Sequence, residues 1–294
     1  MTADEDVTEF ETSPSDAFAT LGDETRIAIV EALGEADAPL SFTELRTRVE
    51  MADSGQFNYH LSKLLETVVR RTEDGTYELT YAGHRIVGAI HAGTYTRRGS
   101  LGTFDLESTC VDCGGSIEAT YEDERVTVRC PTCDELLSAF GFPPGGFEGR
   151  DRDALTRTFD RWITNIVSMA ADGICPPCGG VITGRLAHGS DIESLADEEP
   201  VGVRFDCDRC GETITLSVNS YLLIQPAVVA FYHRQGIDLD DTESWNLPAQ
   251  RTADLSVEST SPVTVTSRIE LEGATLEAFV ESDLTTRTRV LEVN

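Results

Sequence analysis

Apolar and polar positions follow two periods along this chain. In the first hundred or so residues the period is that of a helix. Residues 53–66, DSGQFNYHLSKLLE, show it best: Leu61, Leu64 and Leu65 share one face, and Gln56, Asn58, Tyr59 and Lys63 lie off it. Upstream, Ser41 with Glu44 three residues later is a capping box that opens a short helix over 41–50. The residues around 51–53 leave room only for a turn. Downstream, 68–71 and 76–80 read as short strands around Glu73-Asp74-Gly75, and Asp-Gly between two such runs signals a hairpin. Ser13-Pro14-Ser15-Asp16 starts an earlier helix, in which Phe18 and Leu21 are expected to pack inward. Residues 23–35 form the next, with Ile27, Val30 and Leu33 buried, and 81–98 a further one with Ile86, Val87 and Ile90 on one side. In the middle of the chain, Phe159, Trp162, Ile163, Ile166 and Val167 mark a helix over 152–171, and another is expected near 226–235. Residues 101–109 and 141–150 read as linkers and 188–200 as an acidic loop. Beyond 241 the period becomes two: 253–258, 263–270, 275–281 and 287–293 predict an antiparallel meander.

The cysteines add a second layer. All eight form C-x2-C pairs after residue 100. Cys110, Cys113, Cys130 and Cys133 have 16 residues between their pairs; Cys175, Cys178, Cys207 and Cys210 have 28. Such quartets read as four-thiolate metal sites. In CVDCGG, CPPCGG and CDRCGE a glycine lets the backbone turn so that amides approach the sulfurs. Four thiolates close a tetrahedral shell, which suits a structural Zn2+ ion, so two are expected. Disulfides are the alternative and require an oxidising compartment. A further alternative keeps the metal but exchanges pairs between the quartets. Each quartet encloses a strand (116–121; 181–185) and a return strand (125–129; 201–205), a coarse internal duplication.

Helix, turn, helix and hairpin in that order make a winged helix-turn-helix. The fold class is therefore α+β: an N-terminal winged helix-turn-helix, two zinc-ribbon-like modules with intervening helices, and a C-terminal antiparallel β-meander. The expected domains are a disordered tail at 1–12, a DNA-binding domain at 13–100, a tandem ribbon and helix region at 101–240, and a β domain at 241–294. LGDETRIAIVEAL (21–33), FTELRTRV (42–49), GQFNYHLSKLLE (55–66) and RRTEDGTYELT (70–80) resemble the ArsR-like family of archaeal and bacterial transcription regulators. The resemblance covers about the first hundred residues. It implies a dimeric DNA-binding domain whose helix at 53–66 enters the major groove, with a helix near 81–98 packing across the dimer. Metal-sensing relatives often carry cysteines in this domain; here the first is Cys110. The DNA contacts expected are Ser54, Gln56, Asn58, Tyr59, His60 and Lys63 on that helix, with Arg46, Arg70 and Arg71 toward phosphate. For His60 a phosphate or packing role is expected. His84 and His91 read as surface histidines.

Charge changes the picture in part. The net charge is −29, and Lys63 is the single lysine. This looks like a protein of haloarchaeal type, whose self-repelling surface stays soluble when salt screens it. At molar salt the Debye length is roughly 3 Å. A nucleic-acid binder is ordinarily basic, but residues 41–100 carry eight Lys or Arg against seven Asp or Glu. Arg48, Arg97 and Arg98 join the phosphate candidates; the bland alternative is an ordinary surface role for all of these. Counterion release contributes little at high salt, so base contacts must carry more of the affinity. No apolar run of about 20 residues is present to span a membrane. The acidic opening does not read as a signal peptide. A cytoplasmic protein without membrane contact is expected.

Three functions compete. The first is a sequence-specific DNA-binding transcriptional regulator, a homodimer on double-stranded DNA with structural zinc. The alternative is a transcription adaptor that binds RNA polymerase or another protein through the winged helix and ribbons. Archaeal transcription factor E combines such elements, a resemblance of architecture alone. An enzyme is not expected, because cysteines would saturate both metals and the histidines form no catalytic constellation.

Overall fold

The computed structural model describes residues 13–65, 67–192, 200–247 and 254–292. The tail read at 1–12 and most of the loop read at 188–200 lie outside them. The protein is mixed α/β and divides into two compact units, the first ending at Arg97 and the second beginning at Arg98.

The first unit runs α1 (Pro14–Leu21), α2 (Glu24–Gly34), α3 (Phe42–Arg48), α4 (Ser54–Leu64), β1 (Val69–Arg71), β2 (Tyr77–Leu79) and α5 (Tyr81–His91). Each helix starts where a side chain accepts from the orphan amides of the first turn: Ser13, Asp23, Ser41, Asp53 and Thr80. Ser41 and Glu44 form both halves of the capping box. The core joins Ile29, Val30 and Leu33 of α2, Leu45 of α3, Phe57, Leu61 and Leu64 of α4, and Val69, Tyr77 and Leu79 of the hairpin. Leu40 and Tyr77 exchange backbone hydrogen bonds of 3.0 and 2.8 Å, which pins the segment before α3 to the hairpin.

Two expectations are corrected here. Phe18 does not pack inward: it is 74% exposed, and α1 buries none of its side chains. Leu21, half-buried, does pack against the core. The last helix ends at His91 rather than 98, because Gly93 turns left-handed (φ 73°) and Thr94 N–H closes on Ala89 O at 3.2 Å.

The second unit opens with a four-stranded antiparallel sheet in the order β3 (Leu101–Thr109), β4 (Ser116–Glu122), β5 (Arg125–Cys130), β6 (Glu135–Gly141). Residues 101–109 are thus a strand, not a linker. Phe104 and Leu106 alternate into the core, too brief a pattern to announce a strand. Residues 141–150 are likewise packed: Phe142 is in the core and Phe147 lies against it around a 3-10 turn at Pro144–Phe147. Next comes α6 (Arg152–Ala171), whose Leu155, Phe159 and Ile163 pack on this sheet. Its far end, Ile166 and Ala170, belongs to another core.

That other core is built from β7 (Thr183–His188), β8 (Val201–Asp206) and β9 (Thr213–Ser217), the helices α7 (Val218–Leu222) and α8 (Pro226–Arg234), and a four-stranded meander. The meander is β10 (Asp254–Thr260), β11 (Val263–Leu271), β12 (Ala274–Val280) and β13 (Thr286–Glu292) in sequential order. Val265, Ile269, Leu276 and Val280 of this sheet meet Phe205, Tyr221, Leu222 and Phe231. The segment set apart in sequence as 241–294 therefore shares a core with the second cysteine module. Gly184 marks the close approach: a Cβ there would stand 2.5 Å from both Leu284 and Phe205 side-chain carbons. Residues ahead of the meander strap back onto α6. Arg161 Nη1 reaches Asp240 Oδ1 at 2.6 Å, Ser244 N–H donates to Asp160 at 2.9 Å, and Trp245 sits in the core of the β3–β6 sheet.

Candidate metal centres and the exposed face of α4

The cysteines converge in two clusters, each in sequence order. Cys110 and Cys133 sulfurs are 3.8 Å apart and Cys113 and Cys130 sulfurs 3.5 Å. In the second cluster Cys175 and Cys210 are 3.6 Å apart, and Cys178 and Cys207 3.7 Å. Metal–sulfur bonds of ~2.3 Å give a tetrahedron with edges of about 3.8 Å. A disulfide would need about 2.05 Å. Each quartet fits one metal ion, and no pair is exchanged between them.

The knuckles explain the geometry. Cys110 N–H donates to Gly115 O at 2.7 Å, Cys175 N–H to Gly180 O at 2.8 Å, and Cys207 N–H to Glu212 O at 2.9 Å. Gly114, Gly179 and Gly211 make these turns at φ of 71°, 67° and 78°. The knuckle CPTCDE has no glycine, and Asp134 takes the left-handed position (φ 64°), its carboxylate paired with Arg129. Gly115 and Gly180 N–H groups donate to Cys113 and Cys178 sulfurs at 3.4 and 3.3 Å. The Cys133 backbone N–H, with that of Thr132, draws the Cys130 thiol down to about 6. The N–H groups of Cys210 and Arg209 draw Cys207 down to about 7. These amides favour the thiolate at Cys130 and Cys207, while burial pushes the Cys133 and Cys175 thiols up to about 12. The first cysteine of each pair is buried and the second faces solvent.

The other candidate residues lie in the first unit. On α4, Ser54, Gln56, Asn58, Tyr59 and Lys63 are exposed, while Phe57, Leu61 and Leu64 are buried. His60 departs from its group: it is buried on the flank of the helix, its Nδ1 3.2 Å from Asp23 Oδ1, so of its two expected roles the packing one matches its position. It turns inward because it lies nearer the leucine face than the outer one. Asp53 occupies the helix N-terminus, accepting from Gly55 and Gln56 N–H at 2.8 and 3.0 Å, and these bonds hold its carboxyl below the usual range. Arg46 is half-buried on α3. In the hairpin, Arg70 Nε donates to Glu78 at 2.7 Å, and the Arg71 guanidinium lies 5.9 Å from the Tyr77 ring centre. The tip carries Glu73 and Asp74. His84 and His91 are exposed. Gly55 and Ser62, not singled out in the sequence, also lie on the outer face of α4; counting three and four residues from Tyr59 finds them.

No helix among the described residues is long and apolar enough to cross a membrane. A comparison with curated proteins finds no match. A family model described as Domain of unknown function (DUF7347) matches residues 14–90, the stretch from α1 almost to the end of α5. A second, Domain of unknown function (DUF7351), matches residues 107–286, which hold both cysteine clusters and most of the meander. With well over half of its length inside that second match, the chain belongs to the family of the Domain of unknown function (DUF7351).

Proposed function

We propose that this protein is a sequence-specific DNA-binding transcription regulator that acts as a homodimer and carries two structural zinc ions. The observation that carries the reading is the outer face of α4. It is polar, its one formal charge is Lys63, and it belongs to a chain of net charge −29. The helix follows α3 after a short turn and precedes a two-stranded hairpin, the order of a winged helix-turn-helix and of the ArsR-like regulators the sequence resembles. Gln56 to Lys63 spans about 10 Å at ~1.5 Å per residue, within a major groove about 12 Å wide. Arg46 is the better phosphate candidate, since Arg70 and Arg71 are engaged within the hairpin and Lys63 lies against the Tyr59 ring. The exposed Phe18 and the half-buried Ile86 and Ile90 of α5 offer an apolar surface to a second copy. Thiolate-only shells suit Zn2+, and four sulfurs leave no open position, as in a structural site.

Chromatin immunoprecipitation with sequencing in the native host tests this, with wild type beside Gln56→Ala/Tyr59→Ala. Sharp peaks sharing a two-fold motif, lost in the variant, are expected. Broad occupancy following polymerase and indifferent to the variant would overturn the reading. That result would favour the adaptor, for which one observation speaks: Ile174 and Val181, paired across the Cys175–Cys178 knuckle, are 45% and 77% exposed.

A further inference from the structure

We infer that Tyr59 is the residue with which α4 recognises thymine, and that Lys63 and His60 hold its ring ready to do so. The inference rests on the proposed reading of α4 as the DNA-contacting helix. Gly55, Gln56, Tyr59, Ser62 and Lys63 are three or four residues apart and form one strip with Tyr59 at its centre. Tyr59 is 58% exposed and is the one large apolar side chain of α4 turned outward; Phe57, Leu61 and Leu64 all face the core. Among the groups that a major groove presents, the thymine C5-methyl is the apolar one; the remaining base edges offer hydrogen-bond donors and acceptors. The ring and the methyl are therefore complementary; the Gln56 amide beside the ring suits the polar edges, and the Ser62 hydroxyl, which donates to Tyr59 O at 2.8 Å, is left to accept.

An exposed tyrosine would ordinarily lose freedom on binding. This one has two neighbours fixing it. Its ring meets that of His60 edge-on, centres 5.4 Å apart at 78°, and His60 is itself buried beside Asp23. Lys63 Nζ stands 5.6 Å from the ring centre. Every other formal cationic side chain in this protein is arginine. A guanidinium is planar and would lie flat on the ring, covering the surface that a base must meet, whereas an ammonium is a compact point charge. One turn before Tyr59, Gly55 keeps the approach open: an added Cβ would meet only Asp53 Oδ1, at 3.3 Å.

The test uses the full chain as wild type, Tyr59→Phe, Tyr59→Ala and Lys63→Met. Duplexes bound by wild type are first selected from a random-sequence library. In the selected site, thymines are then replaced one at a time by deoxyuridine, which lacks only the methyl group. At one thymine per half-site the replacement should weaken wild type about fourfold, the worth of one methyl group removed from water. Tyr59→Phe should keep that loss. Tyr59→Ala should bind more weakly and no longer distinguish thymine from uracil there, with an unfolding midpoint close to wild type because the side chain is exposed. In Lys63→Met the thymine-to-uracil ratio should fall toward one; an unchanged ratio would overturn the holding role of Lys63. Equal losses at every thymine in wild type and Tyr59→Ala would overturn the assignment of Tyr59. Failure of wild type to select any motif would instead overturn the underlying reading of the protein as a sequence-specific DNA binder.

Discussion

Asp160 is the one acidic side chain buried among the described residues. Its carboxylate accepts from Ser244 N–H, yet burial outweighs that bond and raises its pKa above the ordinary 3.8. The folded state thus binds this proton more tightly than the unfolded chain. Stability from this group falls as pH rises from the ordinary carboxyl value through the raised one, and returns as pH falls. Asp206 has the opposite sign. Arg204 Nε donates to both its oxygens at 2.9 Å and holds its pKa down, so its contribution is present above 3.8 and lost in acid. Asp160→Asn keeps an acceptor for Ser244 and removes the titration. The variant should match or exceed wild type in urea unfolding near neutral pH, with its advantage disappearing as wild type protonates. An advantage that does not change with pH would show that burial of charge is not the cause. Residues of this kind are hard to read in sequence. Nothing near Asp160 announces Ser244, 84 positions away, and nothing in NYHL tells which side of α4 takes His60. The cysteines were legible because a metal site constrains spacing locally, although Asp134 shows that the glycine of a knuckle is replaceable.

Elements were legible where one period ran long enough. The caps at Ser13 and Ser41, the span of α6 and the four meander strands follow the pattern of the chain to within one or two residues. Strands β3 and β6 did not show, because a few inward residues beside a knuckle give no sustained alternation. Helix α1 was legible as a helix but not in its packing. Its pattern marks an apolar side, and only the folded chain shows that side left open. If a second copy covers it, Phe18→Glu should convert a dimer into a monomer in sedimentation velocity, and should weaken binding to a two-fold site far more than binding to a half-site. The substitution should leave the unfolding midpoint of a dilute monomer nearly unchanged, since Phe18 contributes little to its own core.

At the scale of the molecule, the cysteine clusters are built into the cores of the second unit, and the core of the first has none. Cys110 and Cys130 sit in the core of the first sheet, and Cys175 and Cys207 in the core shared with the meander. The first unit has its own core and no cysteine. If each cluster holds a metal ion, a strong chelator should abolish the unfolding transition of residues 98–294 and leave that of 13–97 in place, with about two metal ions released per chain. Calorimetry with parallel metal analysis reads both. Loss of a single transition for the whole chain would refute the separation.

The shared core also sets an order of events during synthesis. A ribosome releases Cys210 well before Val265, Ile269 and Leu276, the residues that cover β8 and α7. Until those strands emerge, the core around Phe205, Tyr221 and Leu222 lacks the side chains of the meander. A metal ion captured by Cys175, Cys178, Cys207 and Cys210 would tie the nascent hairpin together in that interval. In translation, then, a bound ion would serve as a placeholder for a sheet not yet made, and a cell short of metal would expose this surface to aggregation before the chain is finished.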